Sequence, residues 1–455
     1  MPDGGDFPGG KGGGPTPFSN AFRPATIASL RYNTSQGGSP VPICYGTQRV
    51  SINLIEFWGQ QGFGSTGKGG KGLGSSGGKK GSNANYSVDV AFGLCQGPVG
   101  DTGAPNGFLP PGGPPNVNRV WANGSVAGFD KVGVNFYAGN DGQAADPVFV
   151  SSDTNSPVLG YSGTSYVTGT PLQLGSTPAL PNFSAEITGF AVGTVGSLYP
   201  GDANPASIVT DLLINTRYGA GFPAANLDQS GSIADFATYS QAAQLAMSLL
   251  IDRQQPCARW LEEIAQVAVA AVVWSGSLLK IIPYGDVALS ANGASWTPNL
   301  SWQYSLVDSD FLDFGGGSDP VMLTRSDPAS ATNWLSVEYM DSSNHYNPQI
   351  LPVWDQDLID QYGLRSEPSI QAHEFTNKTS ATVSAQLQLQ RKAYIRNTYK
   401  WKLGWRYSLL EPMDIVLLTD ATLGLSGAAV RITQIDEDDN GELTLTAEEI
   451  PGITP

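Results

Sequence analysis

The chain has 455 residues, enough for about three or four domains. Gly (56) and Pro (32) are abundant and charged residues make up only 14%, a composition of short strands, turns and loops that predicts a mainly β protein. Twenty-four basic against forty acidic residues give a formal charge of −16, which argues against a surface that grips a phosphate backbone through counterion release.

There is no charged-then-apolar leader and no apolar run of about 18 residues, so neither a secretory signal nor a membrane helix is predicted. The chain is expected to be made in the cytoplasm and to stay soluble. Cys44, Cys95 and Cys257 are odd in number, widely spaced and flanked by apolar residues, the pattern of buried reduced thiols rather than of a disulfide frame or metal site.

Residues 1–25 are Gly/Pro-rich and read as a flexible arm. Pro42 to Trp58 alternates through Val50, Ile52 and Leu54 and reads as one strand; Tyr86 to Leu94 places Tyr86, Val88, Val90 and Phe92 on one face of another. The Gly/Ser/Lys segment between them, 63–83, has nothing to bury against the entropy of ordering and reads as a mobile excursion. Gly/Pro-rich turns over 101–115 lead to Val117–Ala122, and Asn123-Gly124 suits a tight type I′ hairpin. Short strands follow over Lys131–Tyr137, Gly160–Val167 and Pro181–Ile187.

Near Asn204 the period changes. Asn204-Pro205 is a helix start with Ile208, Val209, Leu212 and Leu213 on one face, and Gly219 stops it. Ser232 to Asp235 resembles a capping box for a helix carrying Phe236, Tyr239, Ala243, Ala246, Leu249 and Leu250. A third helix starts near Pro256, and Val272–Ile282 folds back at Ser275-Gly276-Ser277, so residues 203–284 read as a smaller α+β domain.

Residues 285–317 read as connecting strands. Val321–Arg325 and Trp334–Tyr339 are strands, 341–365 is looser, and a helix covers 380–396 with Val383, Leu387 and Tyr394 on one side. Tyr399 to Tyr407 alternates apolar against Lys400, Lys402 and Arg406, and strands at Glu411–Leu418, Ala428–Ile435 and Glu442–Ala447 complete the chain.

Pro42, Tyr45, Gly46, Thr47, Arg49, Val50, Asn53 and Leu54, the Gly/Lys loop, then Leu94, Cys95, Gly97 and Pro98 form a pattern similar to the tail tip or central hub proteins of long-tailed phages. These are the tip attachment protein J family and its relatives in gene transfer agents. The resemblance continues through Val120, Trp121 and Gly124, through Phe136, Tyr137, Gly139 and Gln143, and through Tyr161, Gly163, Thr164, Tyr166 and Val167. Where the family usually carries Pro-Gly-Asp this chain has Pro412-Met413-Asp414, a departure in the local turn.

The resemblance implies a multi-domain hub with two β-barrel, tube-like domains per chain that assembles as a homotrimer, two barrels in each chain mimicking six tube subunits. One barrel would draw on 26–100 and 183–202, the other on 318–455 with an insertion over 341–398, and 101–182 would be an inserted β domain. The implied partners are the distal tail ring protein, the tape-measure protein, and tip or fibre proteins, with transient DNA passage through a channel. The implied place is the distal tail end of a virion. Because relatives continue into receptor-binding modules, host recognition is expected on another chain. Acidic residues are expected to line the channel, acting over a screening length of roughly 10 Å.

Motifs for chemistry fail on their own terms. Gly62 to Lys68 begins like a phosphate loop, but Gly69 stands where the Mg²⁺-binding hydroxyl belongs and no helix follows. Gly74 to Gly78 matches a nucleophile elbow only by letter. Asp436 to Gly441 matches half of an EF-hand loop, but Ala447 stands where the bidentate carboxylate is needed, so a solvated hairpin tip is the plainer reading.

His345 and His373 have no ligand spacing, and no cofactor is predicted. Asp308, Asp310 and Asp313, or Glu262 and Glu263, are acids of the kind a glycosidase pairs, with nothing to prefer one set. A non-enzymatic structural protein is therefore expected, with a tail-associated cell-wall or glycan hydrolase and a carbohydrate-binding module as alternatives.

Two cationic groups remain as candidate partner contacts. Lys68, Lys71, Lys79 and Lys80 lie on a loop of about twenty residues with a flexible span of roughly 25 Å. Arg391, Lys392, Arg396, Lys400, Lys402 and Arg406 form a run with no acid among them, expected to dock on an acidic neighbour or to be a plain solvated face.

Overall fold

In the computed structural model the described residues are 40–64, 84–99, 117–127, 134–152, 159–176, 179–190, 201–315, 317 and 319–451. The arm at 1–25, the cations Lys68, Lys71, Lys79 and Lys80, and the turns at 101–115 lie outside them. Strands dominate, grouped around three hydrophobic cores.

The first core is sandwiched between two four-stranded antiparallel sheets. One runs Thr47–Ser51, Phe183–Thr188, Val117–Ala122, Ser125–Ala127; the other runs Asn53–Gly64, Ala84–Gln96, Thr164–Gly175, Val134–Tyr137. Their period of two sends Val50, Ile52, Leu54, Val88, Val90, Phe92, Val167, Ala185 and Ile187 into the space between them.

The opening segment is not one strand. It breaks after Ile43–Cys44 because Gly46 turns the chain at φ +69°, where a Cβ would overlap the Ser248 hydroxyl. Asn123 and Gly124 both have positive φ, as the type I′ hairpin requires. The described strands of 101–182, expected to fold apart, instead pair with 84–96 and 183–188 and complete these two sheets. Neither strand set could bury its apolar face alone.

The second core gathers helices and small sheets. A short helix in the sandwich, α1 (Pro147–Ser152), precedes α2 (Pro205–Ile214), α3 (Ser232–Ala242) and α4 (Cys257–Ala268), with hairpins Ala270–Ser275/Leu278–Pro283 and Leu289–Ala291/Ala294–Trp296. Asn204 caps α2, its Oδ1 accepting from Ala206 N at 2.9 Å.

The expected capping box at Ser232 does not form. Gly231 is the cap, Asp228 accepts from Ser232 N, and Asp235 accepts from the Trp296 indole. That helix also ends at Ala242, since Gln244 at φ +63° reverses the chain and frees Leu250–Ile251 to pair with Ile43–Cys44.

The same core continues into a three-stranded sheet, Asn347–Trp354, Trp334–Asp341, Ile370–Gln371, flanked by α5 (Gln356–Tyr362) and α6 (Lys378–Tyr394). On α6 the buried face is Ser380, Ala381, Ser384, Ala385 and Leu389, while Tyr394 is exposed. Small residues allow close approach, and the Ser380 and Ser384 hydroxyls donate to Gln244 O (2.7 Å) and Val267 O (2.6 Å).

The third core lies against a seven-stranded sheet ordered Trp302–Leu306, Ile415–Asp420, Leu425–Glu437, Leu443–Glu449, Asn397–Leu403, Phe311–Leu312, with Val321–Arg325 also on Asn397–Leu403. The expected closed barrels are absent among the described residues: the sheets are open ladders. The C-terminal sheet curls so far that one segment, 302–312, pairs at both edges, but residues 307–310 between its two pairings are not in strand. The alternation expected through Tyr407 stops at Leu403, opposite Leu443, because the neighbouring strand begins there; Trp405–Tyr407 is a 3-10 turn.

Candidate functional site

The cations singled out in the sequence acquire acids from distant segments. Arg391, on the last turn of α6, donates to both oxygens of Glu448 (2.9 and 3.0 Å) and lies 3.7 Å from the Tyr284 ring centroid. Lys392 pairs with Glu367 at 2.6 Å, a contact that holds the Glu367 carboxyl below its usual range. Lys402 pairs with Glu442 at 3.2 Å, and Arg406 pairs with Asp310.

Arg396 donates through its backbone N–H to Glu449 and through Nε to Ala393 O. Lys400 is exposed and has no acidic partner among the described residues. Four of the six cations thus have acidic partners, and two of those acids, Glu442 and Glu448, are brought near by the strand pairing that sets Leu443–Glu449 beside Asn397–Leu403. The cluster Glu442, Glu448 and Glu449 was the sequence signal for this.

Around Arg391 the second and third cores are joined. Arg431, 4% exposed, pairs with Asp286, and its guanidinium lies 5.7 Å from the same Tyr284 ring. Two carboxylates, two guanidinium groups and an aromatic ring therefore bind the C-terminal sheet to α6 and the 284–286 segment.

A second junction joins the sandwich to the 342–346 turn. The Arg49 guanidinium sits 4.4 Å from the Trp121 ring centroid and donates to Ser184 Oγ (2.8 Å) and His345 O (3.0 Å). Arg119 donates to Glu186 (2.6 Å) and to Ser342 O (2.8 Å). Trp121, fully buried, donates its indole N–H to His345 Nδ1 at 3.3 Å. His345 and Tyr346 both adopt positive φ, +58° and +60°, a strained reversal held by these contacts. His345 is thus a packing and hydrogen-bonding residue at a junction.

Between the sandwich and the second core lie two buried acids. Asp202 accepts from Ser248 Oγ (2.6 Å), Thr376 Oγ1 (3.2 Å) and Asn377 Nδ2 (2.8 Å). Burial pushes its carboxyl up and those three donors hold the rise back. Ser248 Oγ in turn accepts from Thr47 N at 2.9 Å, so one network spans four segments.

Glu374 faces a cleft of about 380 Å³ walled by Gln48, Arg49, Asp252, Arg253, α4 and the 371–374 segment. It is 8% exposed, and burial pushes its carboxyl up to about 7. Its neighbour His373 bonds Glu338 at 2.8 Å. Neither acid stands out in the sequence, because burial alone distinguishes it.

The remaining motif residues have structural tasks. Asp438 Oδ1 accepts from Asn440 N and Glu442 N and staples the hairpin tip. Asp310 accepts from Val307 N, Asp313 from Gly315 N, and Glu263 pairs with Arg259 at 3.4 Å. Among the described residues no three His, Cys, Asp or Glu side chains are grouped as metal ligands. All three cysteines are free thiols, Cys44 and Cys95 fully buried.

Residues 257–435 match the family model described as putative phage tail protein, a stretch running from α4 into the C-terminal sheet. The fold is similar to that of a chain in the virion of a native gene transfer agent particle, with a TM-score of 0.59 and 17% identity over 93% of this chain and 87% of that one. A tail protein from Neisseria meningitidis MC58 has a TM-score of 0.34 and 11% identity over 90% of this chain and 98% of that one. The 43 kDa tail protein of prophage MuSo2 from Shewanella oneidensis has a TM-score of 0.30 and 13% identity over 90% and 100%. The last two superpose too loosely to define a common fold. No curated protein matches the sequence.

Proposed function

We propose that this chain is a structural protein of a phage-like tail, and specifically the central hub that closes the distal end of the tail tube. The observation that carries the reading is the fold shared along 93% of the chain with a gene transfer agent virion protein, supported by the family match over 257–435. Physical features agree with it. Two junctions of stacked guanidinium groups and carboxylates tie the three cores together, the rigidity a ring component under mechanical stress needs.

In this reading three copies assemble around an axis. They meet the distal tail ring protein above, the tape-measure protein within, and tip or fibre proteins below, and DNA passes through the channel without specific binding. The net charge of −16 per chain keeps the channel wall from retaining DNA. The chain acts by shape rather than by catalysis, and Lys400 with the Gly/Lys loop at 63–83 offers cations to acidic neighbours.

Mass measurement of the purified chain, alone and with its tube-ring neighbour, tests this. The expected species has three times the 47.8 kDa of one chain, alone or on the ring. A strict monomer in both, or a gold-labelled copy found off the tail axis in intact particles, overturns it.

A further inference from the structure

Helix α6 and the end of the edge strand Asn347–Trp354 enclose a groove of about 520 Å³, within the roughly 300–1,000 Å³ of ordinary ligand pockets. Val353 and Leu389, both buried, give it an apolar floor. Two aromatic side chains, Trp354 and Tyr394, border it while staying 54% and 46% exposed. Gln386 and Gln390, one turn apart on α6, are exposed in the same lining, and neither makes a hydrogen bond to a described residue.

The chemistry of this lining is narrow. Among the described residues it holds no Lys, Arg or His, so nothing there attracts an anion. Its one acid, Asp355, already accepts from Tyr394 Oη at 2.5 Å and from Leu358 N at 3.1 Å, which leaves neither carboxylate oxygen without a donor. The groups still open to a ligand are neutral: two carboxamides, each able to donate and to accept, beside exposed aromatic rings.

Pro352 adds a carbonyl that the ladder does not use. Asp355 N donates to Asn333 O, so by the alternation of an antiparallel pair the Pro352 carbonyl faces the outer edge, and its nitrogen has no hydrogen. A polypeptide laid against this edge would meet an acceptor with no donor beside it, whereas a hydroxyl brings its own hydrogen.

We propose that this groove binds an uncharged saccharide. A pyranose ring lays its C–H face on Trp354 or Tyr394, and its hydroxyls exchange hydrogen bonds with Gln386, Gln390 and the Pro352 carbonyl. This goes beyond the hub reading and does not depend on it.

Saturation-transfer difference nuclear magnetic resonance on the full chain tests it, with chitotriose, cellotriose, maltotriose and mannotriose as probes. At least one is expected to bind saturably, with transfer strongest at the ring C–H protons and an affinity insensitive to salt, since no free charge takes part. W354A is expected to weaken that binding at least tenfold. So is Q386A combined with Q390A, two exposed positions on a helix that alanine favours. W274A removes a comparably exposed tryptophan (56%) from the Ala270–Ser275 strand and is expected to leave binding unchanged.

No binding of any of the four sugars, undiminished binding by W354A or by the double glutamine variant, or an equal loss in W274A overturns the proposal. So does tighter binding of a decaproline peptide that W354A abolishes, which makes the groove a site for an extended polypeptide. If W354A does not fold, the double glutamine variant decides.

Discussion

Arg391 holds both carboxylate oxygens of Glu448, at 2.9 and 3.0 Å, from a helix whose other contacts are with a different hydrophobic core. A single nitrogen, Nη2, spans the carboxylate in a charge-assisted contact, so this pair anchors the C-terminal sheet on α6. Replacing it strands Glu448, 12% exposed in its side chain, with only Arg431 at 3.9 Å. R391M is expected to lower stability by about 2–3 kcal/mol, less than at a fully buried pair because a quarter of the Arg391 side chain is exposed. R391K is expected to fall between, keeping the charge but losing the planar group stacked on Tyr284. Urea unfolding followed by circular dichroism measures both, and an unchanged midpoint for R391M would refute the role.

Met413 occupies φ +75° in the Pro412-Met413-Asp414 turn, a backbone region that favours glycine. It is held there by its N–H to Ile432 O (2.7 Å) and by Asp414, which accepts from Glu411 N. A left-handed conformation costs an L-residue about 1–2 kcal/mol, and glycine returns part of that as unfolded-state entropy. M413G is expected to gain about 0.5–1 kcal/mol, seen as a small rise in Tm. A fall in Tm would mean that the thioether's packing outweighs the strain.

Glu374 gives a signed pH dependence. Its folded pKa of about 7 lies above the ordinary 4.5, so the native state holds a proton that the unfolded chain releases earlier. The stabilisation is complete below about pH 4.5, is lost as pH rises toward 7, and stays lost above. The full span is about 3 kcal/mol. Asp202 is shifted in the same direction, so E374Q is expected to flatten the profile in part. Unfolding midpoints at pH 5, 6, 7 and 8 for both proteins give the comparison; parallel curves would exclude Glu374 as a contributor.

Thiol accessibility is expected to divide two to one. Cys44 and Cys95 are fully buried, with Cys44 pushed up to about 12 by burial, whereas Cys257 at the start of α4 is half-buried. Under native conditions a thiol reagent should modify Cys257 slowly and the other two not at all; in guanidinium chloride all three should react. Fast native labelling of Cys95, read by peptide mass, would contradict the sandwich core.

Local rules made some of this structure readable in advance. Asn204-Pro205, Asn123-Gly124 and the alternation of Tyr399, Trp401 and Leu403 each carry their own geometry, and each appears as expected. Tertiary context decided the rest. The apolar spacing of Ala246, Leu249 and Leu250 suits a helix, but pairing with Ile43–Cys44 takes that segment for a strand. On α6 the large residues mislead, because the closest packing is made by Ser and Ala. At the candidate sites Arg391 is prominent in sequence, yet Glu448, 57 residues away, becomes its partner only when the sheet forms. Glu374 has no sequence signature, since its character comes from desolvation.

Asn347–Trp354 was hidden by Pro348 and Pro352, which read as loop residues but sit in an unbroken ladder with Trp334–Asp341. The strand lies at the rim of its sheet, and prolines four apart point their nitrogens the same way. Because the ladder is intact, the side deprived of N–H donors is the outer one. An exposed strand rim with free N–H donors invites a second copy to pair with it and extend the sheet. Here that growth is blocked by two missing hydrogens, leaving Ile350 and Trp354 available for side-chain packing without backbone templating.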